Sequence, residues 1–303
     1  MHFISLAEES REELRALLDL ARHIKLHPAA FSGACAGKTL AMIFQKPSLR
    51  TRVSFQTGIY QLGGHGMYLG PTDIQLHRGE TIADTAQVLS RYVDGIMARV
   101  FSHSDIEALA ANASVPVING LSDLLHPCQV LADLMTIEEK KGRLEGLKLA
   151  YVGDGNNMAH SLLYGGAQLG MTVAVAHPLG YAPDPEVSTL ARDLASTTGG
   201  AIQITQSPIE AVTDADVVYT DVWASMGQED EHGERLKRFE GFQVNAELMA
   251  HARPDAIFMH CLPAHRGEEV SAEVIDGPAS VVFDEAENRL HAQKAIMVRR
   301  MGV

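Results

Sequence analysis

Short apolar runs rich in Val, Ile, Tyr and Phe alternate along this chain with longer stretches whose apolar residues recur at helical spacing. The runs read as strands at 39–44, 67–69, 95–100 and 115–118 in the first half. In the second half they fall at 148–152, 172–176, 217–220, 256–260 and 280–283. Strand and helix alternating this way predict parallel sheets with helices on both faces, because parallel strands need long crossover connections. A helix over 129–141, closed by Gly142, divides the two series. A last helix over 286–301 is long enough to pack back across the junction. The expected fold is α/β with two domains, each a parallel sheet flanked by helices, over 1–134 and 135–287, with 288–303 returning to the first.

The polar residues that follow the strands are more telling than the strands. Phe44 leads into Gln45, Lys46, Pro47, Ser48, Leu49, Arg50, Thr51 and Arg52, and Met97 leads to Arg99. Val152 leads into Gly153-Asp154-Gly155-Asn156-Asn157, Thr220 into Asp221 to Gly227, and His260 into Cys261, Leu262 and Pro263. Ligands of open α/β sheets bind beyond the carboxyl ends of the strands. Two such sheets facing one another would form a cleft holding the active site, with one substrate on each wall.

A length of 303 residues exceeds what one hydrophobic core usually supports, which agrees with two domains. With 46% hydrophobic and 21% charged residues the chain is an ordinary globular one, which excludes disorder and a collagen-like repeat. A net charge of −13 argues against a nucleic-acid partner, which needs a basic face. The three cysteines, Cys35, Cys128 and Cys261, are odd in number and widely spaced, as suits a reducing compartment. Residues 1–25 mix Leu with Glu and Arg at helical spacing and carry no signal-peptide core, and no apolar run is long enough to span a bilayer. The expectation is a cytoplasmic protein without a membrane partner.

Ser48-Leu49-Arg50-Thr51-Arg52 places two hydroxyls and two guanidiniums where a helical pattern begins. Helix-terminal N–H groups, hydroxyls and a forked guanidinium make a phosphate cradle. The competing account is a capped helix with solvated arginines. No Gly-Lys-Ser/Thr loop is present, which argues against a nucleoside triphosphatase. His126 and Gln129, three residues apart at a helix start, suit a carbonyl and an amide; a structural histidine is the alternative. Cys128 reads as a packed, inert thiol.

Gly153 to Asn157 follows a strand, yet the third glycine of a dinucleotide fingerprint is replaced by Met158, and the next strand ends in His177 rather than an acid. That weakens the case for a nucleotide-dependent oxidoreductase. The Asn pair suits a small zwitterion, or else an ordinary Asn turn. Asp221 to Gly227 combines a carboxylate, a hydroxyl and backbone amides, the mixture an amino acid needs. Cys261, beside His260 and before Leu262-Pro263, is either tuned by its neighbours or a core cysteine.

Taken together these segments resemble the aspartate/ornithine carbamoyltransferase family, its ornithine branch in particular, across essentially the whole chain. Further matches are Asp73-Ile74-Gln75, Arg78-Gly79-Glu80, Val88 to Tyr92 and Glu287-Asn288-Arg289. The Ser225-Met226-Gly227 loop and the His260-Cys261-Leu262-Pro263 segment distinguish enzymes acting on ornithine from those acting on aspartate. The resemblance implies a carbamoyl-phosphate-binding domain over 1–134, an ornithine-binding domain over 135–287, and no cofactor or metal in the reaction, since carbamoyl phosphate is already an activated mixed anhydride. It implies that Ser48, Leu49, Arg50 and Thr51 hold the phosphate. Arg99, His126 and Gln129 would bind phosphate and carbamoyl groups, with Cys261, Leu262 and Arg289 completing the pocket. Asn157, Asp221, Ser225 and Met226 would bind ornithine, and Cys261, Arg99, His126 and Asp221 would take part in the chemistry. A homotrimer is implied, with Gln75 reaching into the neighbouring subunit's site.

Three positions depart from the family pattern: Leu49 replaces Thr, Gln45 replaces Glu and His77 replaces Gly. Leu49 still offers its backbone N–H. Ser-Leu-Arg-Thr also occurs in relatives acting on N-acylated ornithines, whereas Ser225-Met226-Gly227 favours ornithine; N-acetylornithine, putrescine and aspartate are the rival acceptors.

Overall fold

The computed structural model describes residues 1–73, 79–224 and 232–302. Its contacts divide the chain into two units, Met1–Met135 with Glu287–Val303, and Thr136–Ala286.

The first unit opens with α1 (Arg11–Leu26), whose Leu14, Leu17, Leu18, Ala21 and Ile24 are buried as a single stripe. Ser10 caps it, its side chain accepting the Glu13 N–H at 3.1 Å. There follow β1 (Thr39–Phe44), α2 (Leu49–Gln61), β2 (His65–Leu69), α3 (Ile82–Leu89), β3 (Gly95–Arg99), α4 (His103–Asn112), β4 (Val117–Leu121) and α5 (Pro127–Lys141). The strands are parallel in the order β2-β1-β3-β4. Strand β3 is buried along its whole length and β1 nearly so, as expected of strands covered on both faces, whereas edge strand β2 is half exposed.

The second unit contains β5 (Lys148–Val152), α6 (Asn157–Gln168), β6 (Thr172–Ala176), α7 (Pro185–Thr198), β7 (Ala201–Thr205) and α8 (Pro208–Val212). It continues with β8 (Val217–Thr220), α9 (His232–Arg238), α10 (Ala246–Met249), β9 (Ile257–His260) and α11 (Ala272–Ile275). The sheet is again parallel, in the order β7-β6-β5-β8-β9. The final helix α12 (Val282–Met301) starts in this unit and ends in the first.

In both sheets the first strand has its successor on one side and a later strand on the other. The order therefore reverses between β1 and β3, and again between β5 and β8. Such switch points open a crevice at the carboxyl ends of the strands. Among the described residues, no helix is long and apolar enough to cross a membrane.

The structure corrects two elements. Residues 280–283 are not a strand. Ser280 makes one bridge to Phe258, and the chain turns into α12 at Val282, with Asp284 and Glu285 in the first turn where a helix favours acids. The consecutive burial of Val281 and Val282, with Phe283 exposed, is not the period-2 pattern of a strand. Strand β7 is the addition. It is a half-exposed edge strand whose central Gln203 interrupts the apolar run.

Candidate active-site residues in each unit

In the first unit the carboxyl ends of β1, β3 and β4 each deliver part of the chemistry. Past β1, Ser48 caps α2: its hydroxyl accepts the Thr51 N–H at 3.3 Å and lies 3.1 Å from the Thr51 hydroxyl. Leu49, 77% exposed, opens the helix, and its backbone N–H belongs to the first turn, whose N–H groups have no partner within the helix. The two arginines of the segment divide. Arg52 stacks its guanidinium over the Tyr68 ring, 3.8 Å from the centroid, while half-buried Arg50 lies close enough to His126 to influence its proton.

Arg99 ends β3 and is buried, and buried Arg289 on α12 donates from Nη2 to the Thr51 hydroxyl at 2.8 Å. His126, between β4 and α5, is buried. Burial, then the charges of Arg289, Arg99 and Arg50, hold its pKa well below the ordinary 6.5. Three guanidiniums thus gather around an imidazole kept neutral, a combination suited to a phosphate and to hydrogen-bonding a carbonyl. Gln129, in the first turn of α5, is fully buried and donates to Asp133 at 2.8 Å. Burial raises the Cys128 thiol to about 12, and it donates to the Asn119 carbonyl, which fits an inert packed cysteine.

Gln45 has a structural account. Its side-chain oxygen accepts the Phe101 N–H at 2.8 Å and its amide donates to Asp105 at 3.0 Å, bracing the segment that follows Arg99. An amide makes both bonds; a carboxylate could only accept.

In the second unit Asp221 follows β8 and is buried. Three neutral donors hold its carboxylate. The Val222 N–H donates at 2.8 Å and the Cys261 thiol at 3.1 Å, both to Oδ1, and the Asn156 amide donates to Oδ2 at 3.1 Å. The Asn156 bond crosses the switch point between β5 and β8. Asn156 also caps α6, its oxygen accepting the Met158 and Ala159 N–H groups, with the buried Tyr151 hydroxyl donating to it at 3.3 Å. Burial and the nearby Asp221 and Asp154 raise the Tyr151 phenol well above its usual range, so it remains a donor. Gly155 packs so close to Pro183 that a Cβ would lie 2.2 Å from its nitrogen, so only glycine fits there.

Cys261 is half buried and follows β9. Leu262 adopts a left-handed backbone with φ of 56°, a conformation costing about 1–3 kcal/mol for a non-glycine residue, and precedes a cis proline. Its N–H donates to His260 Nδ1 at 2.8 Å. That bond fixes His260 as the Nε2–H tautomer, which meets buried Glu269 at 3.2 Å. Buried Glu285 accepts the His260 N–H and the Tyr219 hydroxyl, both at 2.9 Å. Asp221, His260 and Cys261 place potential metal-ligand atoms close together, but both ring nitrogens of His260 are already committed to hydrogen bonds.

The structure thus groups Ser48, Thr51, Arg50, Arg99, His126 and Arg289 in one unit, and Asp221 with Cys261 in the other. Asn157 begins α6 beside Asn156. Gln75, His77, Ser225 and Met226 lie outside the described residues. Sequence reasoning missed Asn156, which holds Asp221, and the Glu269 and Glu285 carboxylates behind His260. The Asn156-Asn157 pair was the available signal; the two glutamates, nine and 25 residues beyond His260, gave none.

Two family models match the chain. The aspartate/ornithine carbamoyltransferase carbamoyl-P binding domain covers residues 1–139, and the Asp/Orn binding domain of the same family covers 145–299. An ornithine carbamoyltransferase of Thermococcus kodakarensis is 64% identical over 99% of this chain and 96% of its own. An anabolic ornithine carbamoyltransferase of Pyrococcus furiosus is 59% identical over 99% and 96%. Among solved structures, ornithine carbamoyltransferase from Pyrococcus furiosus superposes with a TM-score of 0.96 at 58% identity, covering 99% of this chain and 96% of that one. The enzyme from Gloeobacter violaceus gives 0.90 at 50% identity, covering 99% and 98%.

Proposed function

The chain belongs to the aspartate/ornithine carbamoyltransferase family, and we propose that it transfers the carbamoyl group of carbamoyl phosphate to the δ-amine of L-ornithine, giving citrulline and phosphate. Ser48, the Leu49 N–H, Arg50 and Thr51 hold the phosphate at the start of α2, where the helix dipole adds to the guanidinium charge. Arg99, Arg289 and Gln129 complete the ligand set for carbamoyl phosphate. His126, neutral among three arginines, donates a hydrogen bond to the carbamoyl oxygen. Donors directed at an oxygen that gains charge in the tetrahedral intermediate stabilise the transition state more than the ground state. The C–N bond forms as the δ-nitrogen attacks, and as the C–O bond to phosphate breaks the proton lost from the amine passes to the leaving phosphate. The amine must first be neutral, against an ordinary value near 10.4 for an alkylammonium, and desolvation lowers that value. Asp221 and Cys261 orient ornithine, with Asn157, Ser225, Met226 and the Leu262 backbone as further contacts.

The observation carrying the choice of acceptor is the Asp221 carboxylate, held by three neutral donors and therefore still negative toward a ligand. The α-ammonium of ornithine, which keeps its charge while the δ-amine loses its own, is attracted there, and N-acetylornithine lacks that ammonium. A homotrimer with Gln75 entering the neighbouring site belongs to the same reading, as does a cytoplasmic location. The exposed apolar side chains Leu49, Val53, Tyr60, Val88, Tyr92 and Phe101, all in the first unit, support an interface there.

The test is product formation from carbamoyl phosphate with ornithine, N-acetylornithine, putrescine and aspartate offered in parallel. Citrulline formed at the highest kcat/KM with ornithine is the expected result. A preference for N-acetylornithine would overturn the assignment of Asp221, and one for aspartate or putrescine the choice of acceptor.

A further inference from the structure

Behind Cys261, on the side of the second unit reached through Glu269, two histidines and two glutamates converge. His265 Nδ1 lies 3.7 Å from Glu268 Oε2 and 3.9 Å from Glu269 Oε2, and the ligand atoms of these three residues all lie within 4.8 Å of one another. His232, which opens α9, brings its Nε2 to 3.6 Å from Glu268 Oε1, and its ring stands edge-on to that of His265. These separations exceed hydrogen-bond lengths. They approach the roughly 3.3–3.6 Å between donor atoms sharing a tetrahedral zinc at about 2.0–2.2 Å.

An independent feature points into the same space. Glu269 is fully buried; its Oε1 accepts the His265 N–H at 2.6 Å and faces His260 Nε2, yet its Oε2, also shielded from solvent, has no hydrogen-bond partner. A buried carboxylate oxygen without a partner is costly, and a cation would satisfy it. The histidines are 43% and 48% exposed at their side chains, which leaves an ion a route in from solvent.

We propose that His232, His265, Glu268 and Glu269 form a binding site for a divalent transition-metal ion of the zinc, cobalt or nickel class. The paired imidazoles select such ions over magnesium or calcium, which prefer all-oxygen ligands. The site is distinct from the substrate ligands and touches them through one residue. Glu269 would hold the ion on one oxygen and the His260 ring on the other, and that ring fixes the Leu262 N–H beside Cys261. The ion thus adds rigidity behind the catalytic cysteine without entering the reaction.

Cobalt is the probe of choice, because a thiolate ligand adds an intense near-ultraviolet charge-transfer band that nitrogen and oxygen ligands lack. Titrating the metal-free full-length protein with Co2+ should give a single site with visible d–d absorption and no thiolate band. That spectrum should persist in Cys261→Ala. His265→Ala and Glu268→Gln, both at partly exposed positions, should each weaken binding at least about tenfold while the circular dichroism spectrum stays that of the parent. The proposal falls if Co2+ does not bind, if a thiolate band appears and is lost in Cys261→Ala, or if both variants bind as the parent does.

Discussion

The two units present opposite solutions to one electrostatic problem. The first gathers Arg50, Arg99 and Arg289 near strand ends and a helix start, and keeps His126 neutral beside them by burial and by their own charge. The second isolates one carboxylate, Asp221, and holds it with a backbone N–H, an amide and a thiol, none of which cancels its charge. On the proposed reading the first group suits an anion and the second a cation, in a chain whose net charge is −13. Ligand sign is thus decided by which few groups are desolvated together. Total charge bears on solubility rather than on what is bound.

The comparison breaks most visibly at Arg50. Arg50→Gly removes the proposed phosphate ligand and a charge felt at His126, and should lower kcat/KM by roughly 10³-fold with carbamoyl phosphate binding collapsing alongside. Near-parental kinetics would detach α2 from the phosphate. Asp221→Ala tests the opposite half. Loss of a buried, hydrogen-bonded charge should raise the ornithine KM about 10²-fold, while carbamoyl phosphate binding, followed by calorimetry, changes little. If carbamoyl phosphate affinity fell instead, the division of labour between the units would be wrong.

Much of this was legible in the sequence for a definite reason. Parallel strands buried along all or nearly all of their length, such as β1, β3 and β5, write themselves as apolar runs, and the candidate site residues follow them directly. The Ser48 cap and its arginines could be found the same way. Residues with no such local mark were not. Edge strand β7 has Gln203 at its centre because one side faces water, and 280–283 carry strand-like composition but feed a helix. The supports of the site are long-range: Asn156 with Asp221, Glu285 with His260 and Arg289 with Thr51 are contacts that only the fold brings about. Sequence pattern reveals which residues carry chemistry more readily than which residues hold them in place.

A smaller effect separates the units through acid. His2, His103, His126 and His291 all have pKa values pushed down, chiefly by burial, and all lie in the first unit. A histidine with a depressed folded-state pKa is protonated in the unfolded chain first, so the unfolded state binds more protons as pH falls below the ordinary value near 6.5. The stability of the first unit is therefore complete above that pH and declines below it, by up to about 1.4 kcal/mol per pH unit for each fully buried histidine. His126→Gln should remove one such contribution. Urea unfolding followed by circular dichroism between pH 7.5 and 5.5 should show a shallower acid loss in the variant than in the parent. The single tryptophan, Trp223, lies in the second unit, so its fluorescence reports that unit alone and should show less of the difference. Equal acid slopes in parent and variant would mean that His126 takes up its proton in the folded unit, and the neutral imidazole assigned to the carbamoyl oxygen would have to be abandoned.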